Sequence, residues 1–116
     1  MTNPMKGEIQ VSIGSETYKC RLTVDALIRI EEQLDKGILQ ITQNLADADI
    51  RIADLVVILH QALRGGGKDI TEKDARLIVQ NNGLVDSARA VAELLTKTLS
   101  DPEEESSGKK EVQAGA

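Results

Sequence analysis

Aromatic side chains are almost absent from this 116-residue chain. Tyr18 is the only aromatic residue, because phenylalanine and tryptophan do not occur. The hydrophobic core must therefore be built from Leu, Ile, Val and Ala, and the chain has no set of aromatic rings on which bases or sugars could stack. This shortage argues against nucleic acid as a partner.

Cysteine and histidine are equally scarce, with Cys20 and His60 as their single representatives. One cysteine cannot form a disulfide within the chain, and neither residue has a Cys or His neighbour with which to share a metal ion. We expect Cys20 to be a small buried side chain, since nothing near it in sequence would lower its pKa. We expect His60 to lie on a helix face without a ligand role, because acid–base catalysis needs a positioned partner. The sequence therefore predicts no enzyme activity, no metal and no cofactor.

Long apolar runs are also missing. The longest, residues 55–59, is far shorter than the ~20 residues of a membrane-spanning helix, and residues 1–7 lack the apolar segment of a signal peptide. We therefore expect no membrane partner and a location in a reducing cytoplasm, where a lone cysteine is usual.

The charge of the chain is negative and unevenly distributed. The chain has 14 Lys and Arg against 19 Asp and Glu, a net charge of -5, which disfavours binding to nucleic-acid phosphates. Residues 101–116 contain five acidic and two basic residues and so contribute -3 of that charge. They are too polar to offset the entropy of ordering. The sequence predicts a flexible N-terminus over residues 1–7, a single α+β domain over residues 8–100 and a disordered polar tail over residues 101–116.

The N-terminal part of the domain is predicted to be a β-hairpin. Residues 8–13 and 17–22 both alternate between apolar and polar side chains, which is the pattern of half-buried strands. A two-residue turn at Gly14 and Ser15, with glycine first, would join them. This turn sets three cross-strand pairs: Ile9 with Cys20, Val11 with Tyr18, and Glu8 with Arg21.

Helical spacing dominates the rest of the chain, so the predicted fold class is α+β, mostly α, with a hairpin followed by about five short helices. Thr23 and the pair Thr71 and Asp74 are expected N-terminal caps, and Gly37 is expected to be the left-handed residue that ends the first helix. The helices are predicted over about residues 24–36, 38–46, 50–64, 71–82 and 85–99.

Two of these helices carry most of the expected core. The third should be central, since apolar residues cover more than half of its circumference. Its expected buried residues are Ile52, Leu55, Val56, Ile58, Leu59, Ala62 and Leu63. The expected buried residues of the fifth helix are Val85, Ala88, Val91, Ala92, Leu95 and Leu99.

Three consecutive glycines, Gly65 to Gly67, should end the third helix, because each costs ~1 kcal/mol relative to alanine inside a helix. Lys68 follows them, which invites comparison with a phosphate-binding loop. The comparison fails, since that loop leaves a strand and enters a helix with a Ser or Thr after the lysine, whereas this run leaves a helix and is followed by Asp69.

Two motifs resemble the tail-assembly-chaperone family of gene transfer agents and related phages. The family's pattern Leu-Thr-hydrophobic-x-Ala-Leu-x-x-hydrophobic-Glu after a strand pair is matched from Leu22 to Glu31, and its Leu-Arg-Gly-Gly helix end is matched from Leu63 to Gly66. The similarity covers roughly residues 7–99. It implies a small protein in the cytoplasm of a bacterial host, or associated with the particle, that binds the tape-measure protein and assists assembly of the tail-tube protein.

A chaperone of this kind needs apolar surfaces that accept a helix of its partner. Residues that the core stripes do not all require are Ile28, Leu39 and Val57, and we take these three, together with the second face of the hairpin, as candidate partner-binding surfaces. Apolar residues at helical spacing are more often simply buried, which is the competing interpretation.

Two other functions stay open. The chain could be a structural subunit, such as a tail-tube or adaptor protein, since a hairpin offers two exposed strand edges through which copies could pair into a homo-oligomer. It could also be a small helical regulator or DNA-binding protein, because a glycine turn joins the third and fourth helices as in helix-turn-helix units. The fourth helix carries as many acidic as basic residues over 72–81, which argues against DNA.

Overall fold

The structure, a computed structural model, describes residues 7–100 and consists of a β-hairpin followed by five helices. The predicted fold class is confirmed. The predictions for residues 1–6 and for the tail 101–116 lie outside the described residues. The elements are β1 (Ile9–Ile13), β2 (Glu16–Cys20), α1 (Val24–Leu34), α2 (Ile38–Ala46), α3 (Ile52–Gly65), α4 (Glu72–Asn82) and α5 (Leu84–Ser100).

The hairpin has the predicted antiparallel register. Ile9 lies opposite Cys20 and Val11 opposite Tyr18, which confirms two of the three predicted pairs, while the strands end before the third. Gly14 has a φ of 65°, as a turn with glycine first requires. The face that carries the apolar residues packs on the helices, and the other face is polar and exposed.

Helix α1 begins at the predicted cap but ends differently. The Thr23 hydroxyl accepts a hydrogen bond from the Ala26 N–H at 3.1 Å. The left-handed residue after the helix is Asp35, with φ 57° and ψ 44°, and not Gly37, so that prediction is wrong. Gly37 has a φ of -69° and is instead the N-cap residue of α2. Aspartate tolerates the left-handed region better than most residues, which allows the helix to end two residues early.

Helix α4 carries the predicted capping box. The Thr71 hydroxyl accepts from the Asp74 N–H at 3.1 Å, and the Asp74 carboxylate accepts from the Thr71 N–H at 3.0 Å. The bond from the Thr71 N–H, and after it a side-chain hydrogen bond with Thr71, lower the pKa of the Asp74 carboxyl below its usual value. Gly83, with φ 89°, separates α4 from α5.

One aliphatic core joins the hairpin to all five helices. Helix α3 lies at its centre, in contact with α1, α4, α5 and β2. Its predicted buried stripe is confirmed except at Ile52, and that of α5 is confirmed except at Val85 and Leu99, since these three residues are exposed. All three stand in the first or last turn of their helix, where the neighbouring elements no longer cover them. No helix within residues 7–100 is long and apolar enough to cross a membrane.

Candidate partner-binding surfaces

The three predicted binding residues lie on three different helices. Leu39 on α2 is 74% exposed and Ile28 on α1 is 46% exposed. Val57 on α3 is only partly exposed and packs against the core. Ile28 and Leu39 are therefore accessible to a partner, whereas much of Val57 is used in packing. The binding role of all three stays a prediction.

Ile28 does not stand alone on α1. Val24 precedes it by four residues, so the two exposed side chains share one face of the helix. The second face of the hairpin differs, because its side chains are polar and give an apolar partner nothing to pack on. The other large apolar residues that are exposed in the described part of the chain are Ile52, Leu77, Val85 and Leu99.

Cys20 and His60, which carry the most reactive side chains, contribute to the packing and hydrogen bonding of the fold. Cys20 is fully buried, as predicted, and burial raises the pKa of its thiol to about 12, so the thiol stays protonated at neutral pH. The Nε2 atom of His60 lies 3.0 Å from the Ile70 carbonyl oxygen and donates to it in the tautomer that carries the Nε2 hydrogen. This bond connects α3 to the segment before α4. Within residues 7–100, no three His, Cys, Asp or Glu side chains are grouped so as to hold a metal ion.

The motif from Leu22 to Glu31 holds α1 and α2 in place. Leu22 and Ala26 are buried, and Thr23 caps α1. The Glu31 carboxylate accepts a hydrogen bond of 2.8 Å from the Ile38 N–H, in the first turn of α2. Because the N-cap residue of α2 is a glycine without a side chain, Glu31 supplies the cap from a neighbouring helix. Leu22, Thr23, Ala26 and Glu31 therefore stabilise the fold.

The second motif closes one edge of the hairpin. A Cβ atom on Gly65 would lie 2.0 Å from the Arg21 carbonyl oxygen, and one on Gly66 would lie 2.1 Å from the Lys19 carbonyl oxygen. The Arg21 N–H donates to the Ala62 carbonyl oxygen at 2.9 Å. The end of α3 therefore packs directly on the backbone at the outer edge of β2, and only glycine permits this approach.

We call residues 65–67 the glycine corner. Gly67 has a different role in it from that of Gly65 and Gly66. It has a φ of 97°, in the left-handed region, and no atom lies within 4 Å of a Cβ placed there. Its N–H donates to the Arg64 carbonyl oxygen and the Lys68 N–H to the Leu63 carbonyl oxygen, both at 3.0 Å. This pair of bonds is a Schellman motif, which satisfies the last carbonyl groups of the helix.

The opposite edge of the hairpin, on β1, is open. Gln10 and Ser12 lie opposite Lys19 and Thr17. In an antiparallel pair such positions alternate, and the outward bond of Arg21 shows that these four residues direct their backbone groups away from the partner strand. Within residues 7–100, no hydrogen bond reaches the backbone N–H or C=O groups of Gln10 and Ser12. The prediction of two exposed edges is therefore correct for β1 and wrong for β2.

A shallow groove runs between this open edge and α5. Its lining residues are Ser12, Gly14, Asp86, Arg89, Ala90 and Glu93. Along α5, four charged residues of alternating sign share one face, because their spacings are three, four and four residues. We call them the α5 charge row, and they are Asp86, Arg89, Glu93 and Lys97.

All four side chains of the α5 charge row are more than half exposed. Arg89 contacts Asp86 at 3.2 Å, and Lys97 contacts Glu93 at 3.9 Å. Exposed pairs of this kind contribute little to stability and exchange partners readily. The alternation is visible in the sequence, but only the fold shows that the row borders an open strand edge.

The comparisons with known proteins support the resemblance to phage and gene-transfer-agent tail proteins at the level of the family. No curated protein and no solved structure matches the chain significantly. A family model described as phage tail tube protein, GTA-gp10, matches residues 6–101, which include both motifs and every element of the fold. The expected relation to tail proteins of phages and gene transfer agents is confirmed, whereas the chaperone role is no part of the family's description. The chain belongs to the phage tail tube protein family, GTA-gp10.

Proposed function

We propose that the chain is a structural subunit in the tail of a phage-like particle, such as a tail-tube or adaptor protein. The observation that carries this proposal is the family match over nearly the whole folded chain. A role in assembly needs surfaces for protein neighbours and no catalytic group. Each of the five helices carries at least one exposed apolar residue, and these residues supply such surfaces.

The second candidate is a tail-assembly chaperone that binds the tape-measure protein. It is favoured by one feature, the exposed pair Val24 and Ile28 on a single face of α1, with Leu39 on the following helix. An apolar helix of a partner can pack on such a face. On this hypothesis the protein acts in the cytoplasm of the bacterial host and is left out of the finished particle.

The two candidates differ in where the protein ends up. We would tag the chain at its N-terminus at its native locus, purify finished particles, and identify by mass spectrometry the proteins retained from lysate and from particles. A structural subunit is expected in the particles at a fixed ratio to other tail proteins. A chaperone is expected in lysate together with a long helical tail protein and not in particles. Both candidates would be contradicted if the tagged chain were absent from particles and retained no tail protein from lysate.

Point variants test whether the face of α1 is used. Ile28→Lys places a charge on that face and is expected to reduce recovery of the tail partner at least several-fold. Leu77→Lys on α4 is the matched control, because Leu77 is 44% exposed and Ile28 is 46% exposed. Equal recovery with the two variants would exclude this face as the binding surface.

A further inference from the structure

We infer that the open edge of β1, together with the α5 charge row, is the contact surface for a second copy of this chain. The copies would be related by a two-fold axis and would join their hairpins into one four-stranded antiparallel sheet. The surface is defined by β1 and α5 alone, so it stands apart from the role proposed in the tail.

In this arrangement the outward backbone groups of β1 pair with those of β1 in the second copy. The outward N–H and C=O groups belong to Gln10 and Ser12, which are two residues apart with Val11 between them. If the axis passes at Val11, Gln10 pairs with the partner's Ser12, and Ser12 pairs with the partner's Gln10. Each of these pairs exchanges two hydrogen bonds, so all four outward groups on each copy are satisfied. The other edge of the hairpin cannot take part, because the glycine corner covers it.

The charges on α5 are the reason to expect a second copy of this chain at the open edge rather than a strand of a different protein. Read from Asp86 to Lys97, the α5 charge row is negative, positive, negative, positive, and read backwards it is the opposite at every place. A two-fold axis brings the row against its own reverse. Asp86 then faces the partner's Lys97, and Arg89 faces the partner's Glu93. Every facing pair is of opposite charge, which is the self-complementarity that an isologous interface requires.

The two inner charges allow a strict test by sedimentation equilibrium of the full chain. Arg89→Glu sets two glutamates against each other at both symmetry-related places, and Glu93→Arg does the same with two arginines. Each variant alone is expected to weaken the dimer roughly tenfold or more. A mixture of the two variants restores opposite charges at every place, so the mixture is expected to form a heterodimer about as tight as the wild-type dimer.

Arg76→Glu on α4 is the matched control for the charge variants. Arg76 is an exposed arginine with an intrahelical acidic neighbour, Glu72 at 3.8 Å, and it lies on another helix. Its dimer is expected to match the wild type. Higher salt is expected to weaken the wild-type dimer, since it screens exposed charges.

A second variant tests the strand edge without changing any charge. Ser12→Pro removes one outward N–H, and proline is tolerated at an edge strand where that group faces solvent. It is expected to abolish the dimer while circular dichroism shows the wild-type helix content. The inference is overturned if the wild type sediments as a monomer at its highest soluble concentration, or as a larger oligomer. It is equally overturned if the dimer is indifferent to both charge reversals and their mixture, a result that does not depend on how Ser12→Pro folds.

Discussion

The two edges of the hairpin differ in what covers them. Both strands carry polar residues at the positions whose backbone N–H and C=O groups point away from the partner strand. The edge of β2 is covered by the end of α3, which packs on the Lys19 and Arg21 carbonyl oxygens and accepts the Arg21 N–H. Among the described residues nothing covers the edge of β1 in this way, and this edge borders the α5 charge row. A strand's own residues therefore do not decide whether its edge is free. A distant glycine pair decides it here.

The largest expected effect comes from breaking the closed edge with Gly66→Ala. The new Cβ would lie 2.1 Å from the Lys19 carbonyl oxygen, so backbone must move. We expect a loss of about 3 kcal/mol in the free energy of unfolding, measured by urea denaturation. Gly37→Ala is the control, because no atom lies within 4 Å of its added Cβ, and it should stay within about 1 kcal/mol of wild type. Equal losses in the two variants would contradict the close contact.

The next effect concerns Cys20, which is buried behind the closed edge. The pKa of its thiol is raised by burial from 9.0 to about 12. Below pH 9.0 the thiol is protonated in both states, and between 9.0 and about 12 only the unfolded state loses the proton. Stability therefore falls as pH rises through this range, by about 1.4 kcal/mol per pH unit. The measurement is urea denaturation in a pH series.

Cys20→Ala supplies the comparison for that series. The alanine variant is expected to be less stable at neutral pH, but its stability should fall less steeply above pH 9.0 than that of wild type. The pKa of Tyr18 is also raised, by burial and then by the charge of Glu16, and this contribution is common to both proteins. Parallel pH profiles would show that the thiol is not buried in solution.

Gly67→Ala separates the effect of backbone conformation at the glycine corner from the effect of contact with β2. Gly67 belongs to the same corner, but its Cβ would meet no atom within 4 Å, and only its φ of 97° disfavours alanine. We expect a loss of about 1 kcal/mol in urea denaturation, well below that of Gly66→Ala. If the two variants lost equal stability, the turn and not the contact with β2 would explain the corner.

The smallest expected effect has the opposite sign, a gain in stability, and concerns the end of α2. Helix α2 also ends in a Schellman motif, with Ala48 at φ 55° in the place that Gly67 takes after α3. Ala48→Gly should raise stability by about 0.5 kcal/mol, since relief of the left-handed strain exceeds the added chain entropy. Thermal unfolding measures it. Ala53→Gly, inside α3, should lower the melting temperature, and a fall in both variants would contradict the assignment.

Local signals predicted most of the fold. The predicted turn at Gly14 and Ser15 sets the register of the hairpin correctly, and the caps at Thr23 and Thr71 mark two helix starts correctly. The predictions are wrong where tertiary contacts decide whether a residue is buried, or where a neighbouring residue can take the same conformation. Gly37 looked like a helix end, but Asp35 adopts the left-handed conformation two residues earlier. Ile52 has the spacing of a core residue and is exposed, because periodicity does not show where the covering elements stop.

The surfaces were less predictable than the fold. The sequence predicts a helix stop at Gly65 and Gly66, and nothing in it shows that they meet the backbone of β2. Of the three predicted binding residues, Ile28 and Leu39 are exposed while Val57 is partly buried, since apolar residues on a central helix are covered from several sides. Whether a residue is free depends on its neighbours in space, which spacing along one helix does not reveal.

The cap that Glu31 gives to α2 has a consequence for the order of local opening. Helix α2 spans nine residues, which is too short to persist in water by itself, and its N-terminal cap comes from the side chain of α1. When α1 unwinds, α2 loses that cap, so the amide protons of the two helices should exchange with solvent as one unit. The short connection between α1 and α2 therefore joins two helices whose opening is energetically coupled. The two helices behave as a single cooperative helical hairpin.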